Sequence, residues 1–438
     1  MGLRTFVGGV HPAPSKGRTG DSPVVTAPLP QKVVIPLAQG GAPCDPLVKV
    51  GDKVQVGQKI GESQAFVSAP VHASISGNVT AIEPVACPNG RTSLAVVIES
   101  DGNDIWLNTT GGSSLDAMSP ADIKGLVREA GLVGMGGAMF PTHVKISPPP
   151  GKSFDAVIIN GAECEPYLTC DQRLLVEETE SIVLGLKAWL KVTGAKKGYI
   201  GIEDNKREAI AAIKAAVTEE KDIEVVPLMT KFPQGSEKQL IASILGREVP
   251  SGGLPVDAGA LVQNVGTTYA LSQAITAGKP LVERVVTVTG TPLKKPLNIR
   301  TRIGTLFSDL LSFCELDGEI GKLISGGPMM GIAQTRADVP VLKGTSGILV
   351  LSPQEARPLP ERACIRCGRC VDACPIGLIP TLLDQYCRHE MWEQATQGHV
   401  ADCIECGSCA YVCPSKRHLV PALRLGKAEV MAQRRRKK

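Results

Sequence analysis

Eight of the chain's 14 cysteines fall into two matching runs, and no other feature restricts its fold and chemistry so strongly. Cys364-x2-Cys367-x2-Cys370-x3-Cys374-Pro375 is followed by Cys403-x2-Cys406-x2-Cys409-x3-Cys413-Pro414. Two-residue gaps let three thiolates converge from one turning segment onto a [4Fe-4S] cubane. The fourth cysteine leaves on the next helix and reaches the other cluster. The expected ligand sets are therefore crossed: Cys364, Cys367, Cys370 and Cys413 for one cluster, Cys403, Cys406, Cys409 and Cys374 for the other. Paired zinc sites would also need four soft ligands each, but do not account for the matching third gaps and prolines. A disulfide framework belongs to small secreted chains. Cys44, Cys87, Cys164, Cys170, Cys314 and Cys387 lack such spacing and are expected to be ordinary buried or half-buried residues. Two adjacent clusters imply one-electron transfer without naming donor or acceptor.

At 438 residues the chain has room for about three domains. Its 47 Gly and 33 Pro, with no collagen period, call for many tight turns and backbone-lined sites, which excludes a single helical bundle. A net charge of +4 from 47 basic and 43 acidic residues is too balanced to make nucleic acid the expected partner. The opening MGLRTFVGGVHPAP has no apolar run of a signal peptide, and no serine or threonine stands at position six to complete a myristoylation signal. No stretch of 18 apolar residues marks a membrane span. The expectation is a soluble chain able to dock against a membrane complex.

Along the chain the texture changes several times. After an extended segment over 1–41, residues 42–99 alternate short strands with Gly-containing turns, the pattern of a small sheet sandwich. It resembles the biotinyl/lipoyl barrel-sandwich domain, but Ile60–Val67 carries no attachment lysine, so a scaffold without a covalent cofactor is expected. His72 there is expected to pack or face solvent. From 115 to 280 apolar strands at 156–159, 198–202 and 223–228 alternate with helices at 121–130, 172–192, 205–219 and up to 245, ending in a helix over 258–276. That order argues a mostly parallel α/β sheet covered on both faces. A small α+β module follows over 281–345, then a strand and linker over 346–362, the cluster domain over 363–420 and a basic tail over 421–438. The final Arg434–Lys438 run is expected to be disordered, with contact to anionic lipid or an acidic partner as the alternative.

The glycine loop Gly131-x2-Gly134-x-Gly136-Gly137 offers close backbone approach and N–H groups able to cradle a phosphate. A helix rather than a strand precedes it and no Gly-Lys-Ser/Thr ends it, so it is neither a dinucleotide fingerprint nor a P-loop. Lys145 lies eight residues beyond Gly137 and is placed to pair with phosphate. Asn160-Gly-Ala-Glu163-Cys-Glu165-Pro166 leaves the carboxyl end of the first strand, where open α/β sheets bind ligands. Clusters take single electrons and nicotinamide gives a hydride, so a flavin is the converter such a chain needs. With aromatics at 3%, any ring stacking would fall chiefly to Phe140, Tyr167 and Phe232.

These residues together are similar to the RnfC family, the NADH-side subunits of Rnf (Rsx) ion-translocating electron transport complexes. The resemblance spans the chain: Gly8–Pro12, Pro43–Gly57, Ser68–His72, Gly134–His143, Asn160–Pro166 and both cysteine runs. The middle also resembles the NADH- and FMN-binding flavoprotein subunit of respiratory complex I. The implied fold is multidomain α/β: a barrel-sandwich domain, a Rossmann-like flavin-binding α/β domain, a β-grasp (SLBB-like) module and a bacterial-type two-cluster ferredoxin domain. The implied cofactors are non-covalent FMN and two [4Fe-4S] clusters, with NADH as substrate. By position, Gly134, Gly136, Gly137 and Lys145 inherit contacts to flavin or nucleotide. Asn160, Glu163 and Glu165 inherit a place against the flavin, Glu237 one near the nicotinamide, and Asn264 one near the flavin phosphate. Met135, Gln263 and Gly266 depart from the complex I pattern. The resemblance implies a peripheral subunit on the cytoplasmic face of the bacterial inner membrane. Its implied partners are the membrane subunits of the complex, its separate iron–sulfur subunit, and ferredoxin indirectly. A cobalamin-reductase subunit of microcompartments and a non-enzymatic wiring scaffold are the competing readings.

Overall fold

The computed structural model describes residues 2–107 and 112–436. Its N-terminal domain packs a four-stranded antiparallel sheet (order Lys32–Pro36, Thr92–Ser100, Gly77–Ala86, Lys53–Val54) against a three-stranded one built from Asp45–Pro46, Lys59–Glu62 and Val71–His72. Alternate residues such as Val33, Ile35, Ile60, Val96 and Ile98 fill the space between the sheets. The sandwich begins ten residues earlier than expected, because Lys32–Pro36 pairs with the last strand, Val33 opposite Ile98 and Ile35 opposite Val96. Pro28 and Pro30 ahead of that strand and Pro36 as its last residue disguise it in the sequence. His72 is buried, and desolvation followed by the charges of Lys343 and Lys59 pushes it down to about 3.

The rest of the N-terminal segment is an extended strap. Arg4 bridges Leu228 and Val10 bridges Phe232, while Val25–Thr26 adds a parallel strand to the third domain.

The second domain is a four-stranded parallel sheet in the order Ile223–Leu228, Lys197–Glu203, Ala156–Gly161, Ala260–Asn264. Buried Val157 and Ile159 face helices Thr179–Thr193, Arg207–Ala216 and Val265–Ala277, and Ile158 faces Glu237–Leu245 on the other side. Two expectations are corrected. The helix over 172–192 is two helices, Cys170–Glu177 and Thr179–Thr193, broken where Glu178 leaves helical geometry. The helix over 258–276 begins instead with the strand Ala260–Asn264, because a short apolar run has no period that separates strand from helix. That missed strand creates the order 3-2-1-4, whose topological switch point lies between Ala156–Gly161 and Ala260–Asn264.

In the third domain the strands Leu297–Arg302, Glu283–Gly290, Gly347–Leu351, Lys322–Ser325 and Ile332–Gln334 follow the β-grasp order, with helix Phe307–Phe313 after the first hairpin. Gly347–Leu351 falls in the stretch expected as strand and linker; it is the sheet's central strand, parallel to Glu283–Gly290, with Ile348, Leu349 and Val350 buried.

The cluster domain ends in a helix, Leu419–Arg436, which takes in the basic tail as far as Arg436, so Arg434–Arg436 are helical where disorder was expected. Leu419, Leu423, Gly426 and Val430 recur at helical spacing and are buried, and Leu423 and Val430 share a core with Leu383 and Cys387. Gly426 is required there, since a Cβ would lie 2.1 Å from Cys387 Sγ. Lys437 and Lys438 of the basic run lie outside the described residues. Among the described residues no helix is long and apolar enough to cross a membrane.

Candidate flavin cavity and cluster sites

A cavity of about 820 Å³ opens at the switch point of the parallel sheet. Asn160 and Asn264, opposite each other in register at the carboxyl ends of strand Ala156–Gly161 and its edge neighbour Ala260–Asn264, both line it. Each is held. Asn160 Nδ2 donates to the Gly235 carbonyl (2.8 Å). Asn264 Oδ1 accepts from Gly266 N–H (2.8 Å), capping helix Val265–Ala277, while its Nδ2 donates to Asp171 (2.7 Å). Burial and then the Glu163 charge push the Asp171 carboxyl up to about 7.

The glycine loop forms the facing wall. Gly134 N–H donates to the Phe140 carbonyl, Met139 N–H returns to Gly134, and Met135 N–H reaches Thr267 Oγ1 (2.9 Å). The N–H groups of Gly136, Gly137 and Ala138 have no partner among the described residues. Gly137 has φ +113° with open space around it, a conformation a side chain rarely adopts. Lys145 pairs with Glu237, and both line the cavity. Gln263, almost fully buried in the wall, has an Nε2 with no partner. A buried donor left unpaired costs free energy unless a ligand satisfies it. Free N–H groups beside a lysine, an orphan amide donor and the apolar faces of Phe66, Phe140 and Phe154 fit a phosphate-bearing flavin.

The eight motif cysteines gather into two hollows. One is lined by Cys364, Cys367, Cys370 and Cys413, the other by Cys374, Cys403, Cys406 and Cys409. Both sets are the crossed ones the spacing predicts. In each run the residue two beyond the first cysteine, Arg366 or Glu405, takes a positive φ and turns its N–H onto that cysteine's Sγ at 3.4 Å. Leu378 N–H likewise meets Cys374 Sγ at 3.3 Å. Among the described residues no donor group closes around a single ion. Four thiols around each hollow are the donor set that a [4Fe-4S] cubane takes.

The hollows differ in setting. The inner one, with buried Cys406 and Cys409, abuts the flavin domain. Gln239 Nε2, two residues along the helix from Glu237, donates to the Pro375 carbonyl (3.0 Å), and Gly9 N–H donates to Ala373 (3.0 Å). Val10, Phe232, Ala373 and Cys406 form one small core with Cys164 and Met329. Cys164 Sγ accepts from Gly235 N–H (3.2 Å), and Gly235 lines the cavity. The outer hollow has exposed Cys364 and Cys367.

Sequence comparison decides the family. The chain is 48% identical over 435 residues to the C component of the Na(+)-translocating ferredoxin:NAD(+) oxidoreductase complex of Acetobacterium woodii, covering 99% of this chain and 98% of that one. It is also 48% identical over 440 residues to the C component of the proton-translocating ferredoxin:NAD(+) oxidoreductase complex of Clostridium ljungdahlii, covering 100% and 96%. The chain belongs to the RnfC family. Its domains match the RnfC barrel sandwich hybrid domain over 4–103, the Nuo51 FMN-binding domain over 127–273 and the 4Fe-4S dicluster domain over 363–417. FMN and two [4Fe-4S] clusters are thus its cofactors. An NAD+-reducing [NiFe]-hydrogenase in its H2-reduced state shares the fold at TM-score 0.50 and 18% identity, over 74% of this chain and 66% of that one.

Within this RnfC-family chain the cavity wall contains Gly134, Gly136, Lys145, Asn160, Glu237 and Asn264. Gly137 stands in the same loop without lining it. Glu163 and Glu165 require correction. The Glu163 carboxylate accepts from Asp171 and Gln172 N–H (2.8 and 3.1 Å) at the start of helix Cys170–Glu177, while buried Glu165 accepts from Met329 and Met330 N–H (3.0 and 2.7 Å). Both side chains brace the turn behind the cavity, because the unpaired N–H groups there need acceptors. Tyr167 and Phe232 also stand outside the wall; Phe232 is buried in the core beside Cys406.

Sequence reasoning missed Phe66, which reaches the wall from the barrel domain and packs edge-on against His143 at 5.7 Å. It also missed Lys16, whose buried ammonium donates to the carbonyls of Glu163 (2.9 Å), Glu165 (3.0 Å) and Leu168. Burial first, then the charge of Lys206, lowers its pKa to about 8. Neither residue lies in a motif, and no local spacing marks either one.

Proposed function

We propose that this chain is the NADH-oxidising electron-input subunit of an Rnf-type ion-translocating ferredoxin:NAD oxidoreductase. The observation that carries this is the adjoining of two sites. A flavin-sized cavity at the switch point shares, through Gly235, Cys164 and Phe232, a packed wall with the inner four-cysteine hollow.

Bound FMN supplies the conversion between a two-electron hydride and single electrons, and the clusters supply the one-electron steps. The protein's share is placement. The Gly136 and Ala138 N–H groups with Lys145 would hold the phosphate, Gln263 and Asn160 would border the ring, and Asn264 keeps helix Val265–Ala277 aimed at the site. Phe66, Phe140 and Phe154 exclude water, and Glu237, paired with Lys145 in the wall, faces the dinucleotide. Cys364, Cys367, Cys370 and Cys413 ligate the outer cluster, and Cys374, Cys403, Cys406 and Cys409 the inner. In this reading the protein sits peripherally on the cytoplasmic face of the membrane, beside the membrane subunits and the separate iron–sulfur subunit, and ferredoxin is reached through them.

The test is anaerobic purification with flavin and iron analysis, followed by NADH addition. Bleaching of both the flavin band and the broad iron–sulfur shoulder is expected. Iron without flavin, or no response to NADH, would overturn the enzymatic reading.

A further inference from the structure

The two four-cysteine hollows offer the same donor set in different electrostatic surroundings. Arg366, Arg369 and Arg417 line the outer one. Arg417, with Arg388, is offset by Asp384 and Glu361. Arg366 and Arg369 are exposed and have no carboxylate partner among the described residues. Around the inner hollow the wall is apolar, with Ile376, Leu378, Ile404 and Leu423, and Glu405 is its one charged residue among those described. Arg424 (2.7 Å) and Lys427 (3.3 Å) pair with that carboxylate from outside the wall. Asp372 and Asp402, one beside each cysteine run, line neither hollow. Positive charge is thus in excess by two in the outer wall itself, and by one behind the inner wall. Cys364 and Cys367 are exposed, while Cys406 and Cys409 are buried.

A thiolate-bound cubane gains negative charge on reduction. Cations and water therefore favour the reduced form, and apolar burial disfavours it. Hydrogen bonds to sulfur differ less. Arg366 N–H and the Thr381 hydroxyl each lie 3.4 Å from Cys364 Sγ. In the inner set Leu378 N–H meets Cys374 (3.3 Å), Glu405 N–H meets Cys403 (3.4 Å) and the Ser408 hydroxyl lies 3.4 Å from Cys406. Two long contacts against three is a smaller difference than exposed against buried ligands.

We propose that the two sites are poised in series, the outer centre accepting an electron at a higher potential than the inner, with Arg366 and Arg369 setting much of the difference. The proposal rests on the electron-input reading and deepens it. One electron arriving from the flavin side reduces the inner centre, which is reoxidised as the outer one is reduced by the same electron, and no proton moves. The surroundings make that step downhill and its return uphill. Arg366 and Arg369 line neither the flavin cavity nor the inner hollow, so they act through the field at the outer site alone.

The test is potentiometric titration of the full cluster-loaded chain with dithionite and mediators, read by EPR and run without NADH. Cys374→Ala keeps all four outer ligands and so assigns the outer signal. Where the outer centre is half reduced, the reduced-to-oxidised ratio of the inner one is expected to be at least tenfold lower, about 59 mV for a one-electron couple. Arg366→Gln with Arg369→Gln should move the outer midpoint down and leave the inner one in place. Arg366→Lys with Arg369→Lys, which keeps both charges, should restore it. If the glutamine pair lowers the iron content, Arg369→Gln alone decides, with a smaller shift in the same direction. An inner centre that titrates at or above the outer potential would overturn the proposal, and so would an outer midpoint that neither glutamine variant moves. Ordered potentials in a chain that does not respond to NADH would instead refute the electron-input reading and leave the ordering standing.

Discussion

The two cofactor regions of this chain are built in opposite ways. All eight cluster cysteines lie between 364 and 413, and each hollow is closed by two short segments of the same small domain. The flavin cavity draws its wall from Phe66 in the barrel, the glycine loop near 134, the strand ends at 160 and 264 and the helix at 237. Covalent ligation by thiolate demands a particular residue at a particular spacing. A flavin is held mostly by backbone N–H groups and apolar faces, which many residues can provide. The first kind of site is concentrated in sequence; the second is spread over the fold.

That contrast can be broken at the glycine loop. Gly137→Val puts a β-branched residue at φ +113°, a cost of about 1–3 kcal/mol, with no neighbouring atom in the way. FMN affinity should fall by roughly tenfold or more, while the EPR of both clusters stays as in wild type. Fluorescence titration of the flavin-free protein checks it; an unchanged Kd would remove the loop from the site.

The same contrast explains what could be read beforehand. The cysteine runs predicted both hollows and their crossing because spacing alone dictates them. The strand Ala260–Asn264 escaped, since its five residues run straight into the apolar start of a helix. With it went the switch point, which is a property of strand order rather than of any local motif. Glu163 and Glu165 sit where an acidic flavin contact was expected, but their carboxylates cap a helix and a loop. Residue type at a strand end fixes the neighbourhood of a side chain and not its direction. The Leu419–Arg436 helix was hidden by its basic end, although Leu419, Leu423, Gly426 and Val430 already carried the helical period.

A smaller effect sharpens the comparison from the barrel side. Phe66→Ala removes an aromatic face worth about 0.5–1.5 kcal/mol, so FMN affinity should drop by roughly threefold with no loss of secondary structure. A chain whose flavin binding ignores Phe66 would return the barrel to the role of mere scaffold.

The central claim is that the flavin cavity feeds the inner cluster, which in turn feeds the outer one. Cys374→Ala, followed by rapid-freeze EPR after mixing with NADH, tests it most directly. The predicted result has three parts: the cluster signal of the 403–409 set disappears, the flavin still bleaches, and the surviving outer cluster is reduced far more slowly than in wild type. Loss of the 364–370 cluster instead, or an outer cluster reduced at the wild-type rate, would contradict the account.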